Sequence, residues 1–300
     1  MTANAVQRHS LQAGHSVNTR EKVPSTLGNK QCWDAWRHLR MYSNLQPILS
    51  TDPGASWLTI GDSGADAAYI RGHSSGPVAA SSITRAQLDA VAGQGYLDGI
   101  EIQEINAEKI DLPDHCFDYV YCKEAYHHFP RPPVAFYEMM RIARKAVVLC
   151  EPSDPYPRRL LDVLRAAAKY VLRGQSRQDA EFEEAGNFVF RISLQEIRKM
   201  ATAVGYDRVY WRYFNDLFIR GLAGRPRTEA LPGFILKLGI CLQDVACSSR
   251  LMNWGLCTTA IWILKPSDQT DIAFNRSGFH RFDVPENPYV PATSSLQESP

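Results

Sequence analysis

Five short apolar segments, separated by stretches that favour helices, constrain the fold of this 300-residue chain more than any other feature. Each is bounded by turn residues and predicts a strand, and together they cover residues 57–60, 78–81, 100–105, 117–121 and 146–150. Near-continuous apolar runs are typical of parallel strands that are buried on both faces. The alternation therefore predicts a doubly wound α/β fold, in which helices cover both faces of a mostly parallel sheet.

Two capping-box patterns predict helices, and two late apolar runs predict further strands. The capping-box pattern at 84–87 predicts a helix that ends near Gly93, and the same pattern at 193–196 predicts one that stops at Gly205. Apolar and aromatic runs beginning at Asp207 and Cys257 predict the late strands. The aromatic residues after Gly205 are either core residues or one wall of a ring-binding site.

Composition divides the chain into a domain and two tails. Residues 1–30 are polar and residues 266–300 are rich in Pro and Ser, so both segments are predicted to be disordered. Residues 31–265 then form one domain, with insertions at about 154–190 and 215–255. The first insertion predicts a basic amphipathic helix, which is compatible with a lid, a membrane-surface helix or a packed helix.

The overall charge and the apolar runs exclude several classes of protein. The net charge is +1, so no global field attracts nucleic acid or anionic lipid. No run reaches the roughly 18 apolar residues of a spanning helix, and the first residues lack a signal core. The seven cysteines are scattered and form no C-x-x-C pair, which favours reduced thiols. We therefore expect a cytoplasmic protein without stable membrane insertion.

The first predicted strand ends in the sequence IGDSGAD, at a position where this class of fold binds ligands. The turn lacks the G-x-G-x-x-G pattern of dinucleotide sites. The carboxylates of Asp62 and Asp66 would repel a pyrophosphate, so the turn favours a cation or zwitterion. S-adenosylmethionine fits, because it carries a sulfonium and an ammonium group but no phosphate; the alternative is a plain tight turn.

The stretch from Asn106 to Pro152, NAEKIDLPDHCFDYVYCKEAYHHFPRPPVAFYEMMRIARKAVVLCEP, resembles class I S-adenosylmethionine-dependent methyltransferases. The resemblance lies in the order of an amide residue, AE-x-L-P-like and FD-x-V elements and a histidine-containing turn. It covers roughly residues 57–152. It implies a seven-stranded sheet with an antiparallel last strand, S-adenosylmethionine as cofactor and a small-molecule acceptor.

The resemblance also implies where the cofactor is held. Gly61, Asp62, Ser63 and Gly64 would contact its methionine end, Ser82 and Ile83 its ribose and adenine edge, Asn106 and Ala107 its adenine, and Cys122 and Lys123 its underside. Two positions depart from the family pattern. Ser82 replaces the usual acidic residue and cannot accept a bidentate pair, and the turn has fewer glycines than usual.

A hydroxyl acceptor needs a general base, and candidates follow the fourth strand in CKEAYHHFPRP. Adjacent histidines are expected to point in different directions, so one of the two faces the pocket. The resemblance gives His128 a role in the turn, which favours His127 as the base. Glu124 and Tyr126 are alternative bases, and Glu124 is equally compatible with a role as partner of Lys123 or of the backbone of the turn. No metal-ligand spacing is present.

Three functions compete on this sequence. The first is methyl transfer to a small molecule, such as a carbohydrate or another hydroxylated metabolite. The second is a non-catalytic binding protein that retains the fold. The third, a nicotinamide oxidoreductase, is disfavoured by the missing glycine fingerprint.

Overall fold

The computed structural model describes residues 25–28, 31–154, 188–215, 224–228, 230–248, 257–263, 267–285 and 288–289. Their strands are β1 (Trp57–Ile60), β2 (Val78–Ser82), β3 (Glu101–Glu104), β4 (Phe117–Lys123), β5 (Ala143–Pro152), β6 (Arg208–Phe214), β7 (Cys257–Ile263) and β8 (His280–Asp283). Every predicted strand is present. β5 is longer than its predicted 146–150 core at both ends.

The strands form one sheet in the order β3-β2-β1-β4-β5-β7-β6-β8. The first five strands pair with one another in parallel, whereas β7 is antiparallel to both β5 and β6. The chain moves outward from β1 to β3 and then returns to place β4 beside β1. This reversal puts the carboxyl ends of β1 and β4 side by side, at the topological switch point.

Helices cover both faces of the sheet, as the sequence predicts. They are α1 (Ser25–Gly28), α2 (Trp33–Tyr42), α3 (Gln46–Thr51), α4 (Ala65–Arg71), α5 (Ala86–Ala92), α6 (Pro132–Ile142), α7 (Leu194–Val204), α8 (Ala230–Ser248) and α9 (Asp268–Arg276). Short 3-10 helices span Ser43–Leu45 and Tyr126–His128.

Two apolar cores hold these layers together. Trp57 and Tyr121 point to one face of the sheet, where they belong to a cluster with residues of α2, α3, α4, α5 and α9. Leu58 and Val120 point to the other face and pack with α6 and α7. This alternation follows from the two-residue period of a strand, and burial of both faces explains the continuous apolar runs.

Only one of the two predicted capping boxes forms. The Ser193 side chain accepts a hydrogen bond from the Glu196 amide and the Glu196 side chain accepts one from the Ser193 amide, so α7 begins as predicted and ends at Gly205. α5 begins without a side-chain cap, and the hydroxyl of Thr84 is buried without a partner in the described part of the chain. The α5 capping prediction is therefore wrong, although the helix is real.

The prediction of a seven-stranded sheet and a disordered tail from residue 266 is wrong for residues 268–283. This segment forms α9 and β8, and β8 adds an eighth strand beside β6. Phe274 is fully buried and stacks on Tyr210 with ring centroids 4.2 Å apart. Burial of this aromatic side chain thus holds the segment against the sheet, although its polar composition predicts disorder.

Other predictions concern the insertions and the late aromatic residues. Residues 155–187 of the first insertion and most of the predicted N-terminal tail lie outside the described residues. The second insertion contains α8. Tyr206, Tyr210, Trp211 and Phe214 are buried, which supports the core interpretation over an open ring-binding wall. No helix in the described ranges is both long and apolar enough to cross a membrane.

Candidate active site

The turns after β1 and β4 pack directly against each other. Gly61 adopts a φ of 69°, and a Cβ atom placed on it would lie 2.6 Å from the Cβ of Ala125. Non-bonded carbon atoms do not approach this closely, so only glycine fits at position 61. The predicted cofactor turn and the predicted base-bearing turn therefore meet at the switch point.

Asp62 shapes the turn from inside. Its buried carboxylate accepts hydrogen bonds from the amides of Gly64 (2.7 Å), Asp66 (3.2 Å) and Ala67 (2.9 Å), and from the Thr59 hydroxyl (2.8 Å). These amides include the first free N–H groups of α4, which a phosphate would otherwise use. The Asp62 side chain, which was predicted to face the ligand, thus accepts hydrogen bonds from the protein backbone instead.

Asp66 and Lys123 form a buried ion pair beneath this turn. The Lys123 Nζ lies 3.1 Å from Asp66 Oδ1 and 3.1 Å from His38 Nδ1, and the Tyr42 hydroxyl donates to Asp66 over 2.7 Å. Burial raises the pKa of Asp66 to about 7, against the opposing effect of Lys123. Burial alone would lower the pKa of Lys123, but Asp66 and Glu124 outweigh it and raise that pKa, so the ammonium stays charged.

The same cluster keeps His38 neutral. Burial, together with the charge of Lys123, lowers the pKa of His38 to about 3. A neutral imidazole can accept the hydrogen bond from Lys123 through Nδ1. Lys123, predicted to lie under the cofactor, therefore also joins α2 to the end of β4.

Glu124 is tied to α2 through Arg37. The guanidinium of Arg37 donates to both carboxylate oxygens, over 2.8 and 3.2 Å, and Glu124 holds a strained positive φ of 50°. Burial would raise the pKa of Glu124, but Lys123 and Arg37 overcome this and lower it to about 2. A carboxylate held this strongly in its charged form is a poor proton acceptor, so the geometry argues against Glu124 as the base.

His127 pairs with a residue that the sequence did not single out. Its Nδ1 lies 2.7 Å from Glu151 Oε2, while Glu151 Oε1 accepts from the amides of Ala125 and Tyr126. Glu151 is completely buried at the end of β5. This carboxylate fixes both the turn and the orientation of the imidazole, which is how enzymes commonly position a histidine base.

The two histidines do not point in different directions. Because both lie in the 3-10 helix Tyr126–His128, their rings lie side by side with centroids 4.0 Å apart. The expectation of divergent rings is wrong. The difference between them is burial: His127 is buried against Glu151, whereas His128 is partly exposed.

The predicted ribose corner lies at the ends of β2 and β3. Ser82 is buried, and in the described residues its hydroxyl makes no hydrogen bond. Ser82 is the register partner of Glu104, whose carboxylate reaches over the following loop to the Arg85 amide at 3.4 Å. Ile83 follows Ser82 and is half-buried. A carboxylate is therefore present at this corner, but it comes from the neighbouring strand.

The remaining predicted cofactor residues are spread over three strands, after β1, after β3 and near the end of β4. Asn106 accepts the Glu108 amide through its side chain (3.0 Å), and Ala107 packs into the second core. Cys122 is fully buried in that core, and burial raises the pKa of its thiol well above the ordinary value. Ser63 lies in the middle of the turn and is half-buried.

The contributions of Arg37, His38 and Glu151 could not be read from a local motif, because each reaches the site from a distant segment.

In the part of the chain that the structure describes, no group of three or more His, Cys, Asp or Glu side chains is placed to hold a metal ion. The acidic turn, in which Asp62 occupies three amides, fits a cofactor that lacks phosphate, as S-adenosylmethionine does.

Comparisons with known proteins agree with this arrangement. Residues 59–150 match the family model described as a methyltransferase domain. A search of curated protein sequences found no match.

Solved structures share the fold at low sequence identity. The 1,6-didemethyltoxoflavin-N1-methyltransferase of Burkholderia thailandensis, solved with 1,6-didemethyltoxoflavin and S-adenosylhomocysteine, is 11% identical, with 88% of this chain and 92% of that chain covered and a TM-score of 0.52. YcgJ of Bacillus subtilis is 15% identical, with 75% and 100% covered and a TM-score of 0.47. A possible histamine N-methyltransferase of Thermotoga maritima is 13% identical, with 78% and 93% covered and a TM-score of 0.46.

The family match falls on β1 to β5, the segment that carries the turn, the ion pair and the histidines described above. Residues 59–150 of the chain therefore form a methyltransferase domain.

Proposed function

We propose that this chain is an S-adenosylmethionine-dependent methyltransferase that transfers a methyl group to a hydroxyl of a small-molecule acceptor, with His127 as the general base. The observation that carries the proposal is the His127–Glu151 pair, which lies in the turn that packs on Gly61. A buried carboxylate on Nδ1 favours the tautomer in which Nδ1 carries the proton and Nε2 is the basic nitrogen. The acceptor class, a carbohydrate or another hydroxylated metabolite, is part of the proposal.

The bound cofactor would supply an electrophilic methyl group. The work of the protein is then to align the acceptor, exclude water and remove the hydroxyl proton. His127 would take that proton at Nε2, and Glu151 would stabilise the imidazolium that forms. Gly61–Gly64 and the Asp62 network would fix the backbone against the methionine end.

We assign the role of the missing ribose carboxylate to Glu104. Its position beside Ser82 supports this, since a strand neighbour in register presents its side chain on the same face. Glu104→Gln should weaken S-adenosylmethionine binding, measured by calorimetry. Glu101→Gln, which changes an exposed carboxylate at the other end of β3, is the matched control; equal affinities in both variants would remove the assignment.

The two other functions are less well supported. An oxidoreductase would need amides for a pyrophosphate, and Asp62 occupies those of Gly64, Asp66 and Ala67. A non-catalytic binding protein has no need to orient a buried histidine with a buried carboxylate. The His127–Glu151 pair therefore favours catalysis.

The test compares adjacent histidines. His127→Gln should lower turnover by roughly 100-fold or more, as expected for loss of a general base. His128→Gln should lower it far less. The measurement is release of S-adenosylhomocysteine against pH with a panel of hydroxylated acids and sugars, together with cofactor affinity. Full activity of His127→Gln at all pH values would exclude this base.

A further inference from the structure

A cavity of about 680 Å³ lies between α2 and α8, and none of the candidate active-site residues lines it. Trp33 and Trp36 of α2 form one wall, with ring centroids 5.7 Å apart and nearly perpendicular planes. Ile240 and Val245 of α8 contribute the opposite apolar side. This size and this combination of aromatic and aliphatic surface are typical of sites for small organic molecules.

The charged residues at the cavity are mostly cations. Arg40, Arg227 and Lys237 line it, against the single carboxylate of Asp244. Arg40 and Asp244 neutralise each other in a bidentate pair. Among the described residues, neither Arg227 nor Lys237 has a carboxylate within ion-pair distance. Within the described ranges, these two exposed cations therefore have no carboxylate partner at the rim of an apolar cavity.

Arg227 is exposed, but its backbone is anchored and its guanidinium lies near the two tryptophan rings of the cavity. The backbone around it is bonded to the segment before α2, through Arg227 N to Gln31 O (3.1 Å) and Trp33 N to Arg225 O (3.2 Å). Its guanidinium lies 5.4 Å from the ring centre of Trp36 and 5.9 Å from that of Trp33. A cation fixed above two indole rings suits a ligand that combines a negative group with a flat body.

The cavity adjoins the candidate active site through α2. Trp36 lines the cavity, and the next residue, Arg37, binds Glu124 at the end of β4. α8 is fixed at the same edge of the sheet, because Asn215, directly after β6, donates a hydrogen bond to the Ile240 carbonyl (3.2 Å).

We propose that this cavity binds the methyl acceptor, and that the acceptor is an anionic molecule with an aromatic or other flat apolar body. The inference rests on the proposed function for its acceptor role. Its chemical content rests on the charges and rings of the cavity alone. The negative group would lie between Arg227 and Lys237, and the flat body against Trp33 and Trp36.

The experiment uses two probes of the same shape on the full chain. Calorimetry measures binding of 2-naphthoate and of its neutral counterpart 2-naphthylmethanol, and S-adenosylmethionine affinity is measured on the same preparations. Arg227→Gln and Lys237→Gln should each weaken naphthoate roughly 3- to 10-fold, the scale of a lost charge-assisted contact, and leave the alcohol unchanged. Trp36→Phe should weaken both probes.

Two control variants separate the cavity from general surface effects. Lys199→Gln removes an exposed cation on α7, and Leu242→Gln removes an exposed apolar side chain on α8 that does not line the cavity. Neither should change naphthoate binding. Equal binding of the two probes, or equal effects of the control and cavity variants, would overturn the inference while leaving cofactor binding and the proposed function intact. Selective naphthoate binding without any S-adenosylmethionine binding would instead contradict the acceptor role together with the proposed function.

Discussion

Asp62 shows how one residue can be identified correctly and interpreted incompletely. The sequence places it in the turn after β1 and predicts that it repels phosphate. In the structure it rejects phosphate differently, by accepting the amides that a phosphate would need. The type of residue is a local property, but the direction of its side chain depends on how α4 folds back onto the turn.

Gly61 gives the most direct prediction at the scale of single residues. Gly61→Ala combines an unfavourable positive φ with a Cβ contact to Ala125, and should cost roughly 2 kcal/mol or more of unfolding free energy. Gly95→Ala is the control, because Gly95 has a φ of 80° but no atom within 4 Å of an added Cβ. It should cost roughly 1 kcal/mol, from the backbone alone. Chemical denaturation measures both; a larger loss for Gly95→Ala would mean that the two turns do not pack this closely.

At the scale of elements, the attachment of α2 to β4 is the feature that the sequence did not predict. Capping signals and apolar periods locate α7 well, because a cap involves residues three apart in the chain. The ion pair between Arg37 and Glu124 joins residues that are 87 positions apart. No local pattern encodes such a contact, so Glu124 was assigned to catalysis on its position after β4.

This attachment predicts a defined pH dependence of stability. The pKa of Glu124 falls from 4.5 to about 2 on folding, so its contribution is present above pH 4.5 and is lost as the pH falls toward 2. Glu124→Gln should lower the unfolding free energy by roughly 1 to 3 kcal/mol at pH 7, after allowance for solvent screening. The difference from wild type should shrink steadily between pH 4.5 and 2.

The measurement is urea denaturation of both proteins across this pH range. Asp114→Asn is a suitable control, because Asp114 pairs with Arg141 on the surface, far from α2. A difference between wild type and Glu124→Gln that stays constant from pH 7 to pH 2 would contradict the ion-pair account.

At the scale of the whole molecule, the presence of β1 to β7 was predictable from the sequence and the structure of the chain end was not. A chain of alternating strands and helices can adopt few topologies. Buried parallel strands are recognisable in the sequence as continuous apolar runs. β8 is different: it lies at the sheet edge, and its residues alternate between partly buried and exposed. Its place depends on Phe274 and on Arg208, which binds Asp271 and Asp283 at 2.6 and 2.7 Å.

Two truncations test this closure of the sheet. A chain that ends after Pro266 lacks α9 and β8 and exposes Tyr210, so its melting temperature should fall by roughly 10 °C or more, or folding should fail. A chain that ends after Pro285 keeps both elements and should melt within a few degrees of the full chain. Similar melting temperatures for all three chains would show that α9 and β8 do not stabilise the domain.

We propose that the turn at Gly61–Gly64 binds S-adenosylmethionine and does not accept a pyrophosphate. Titration calorimetry of the full chain with S-adenosylmethionine, S-adenosylhomocysteine and NAD tests it most directly, with Gly64→Val as the site variant, since Gly64 has a φ of 98°. The account predicts that the first two ligands bind, that NAD does not, and that Gly64→Val weakens both ligands. Binding of NAD with no binding of S-adenosylmethionine, or unchanged affinity in Gly64→Val, would contradict it.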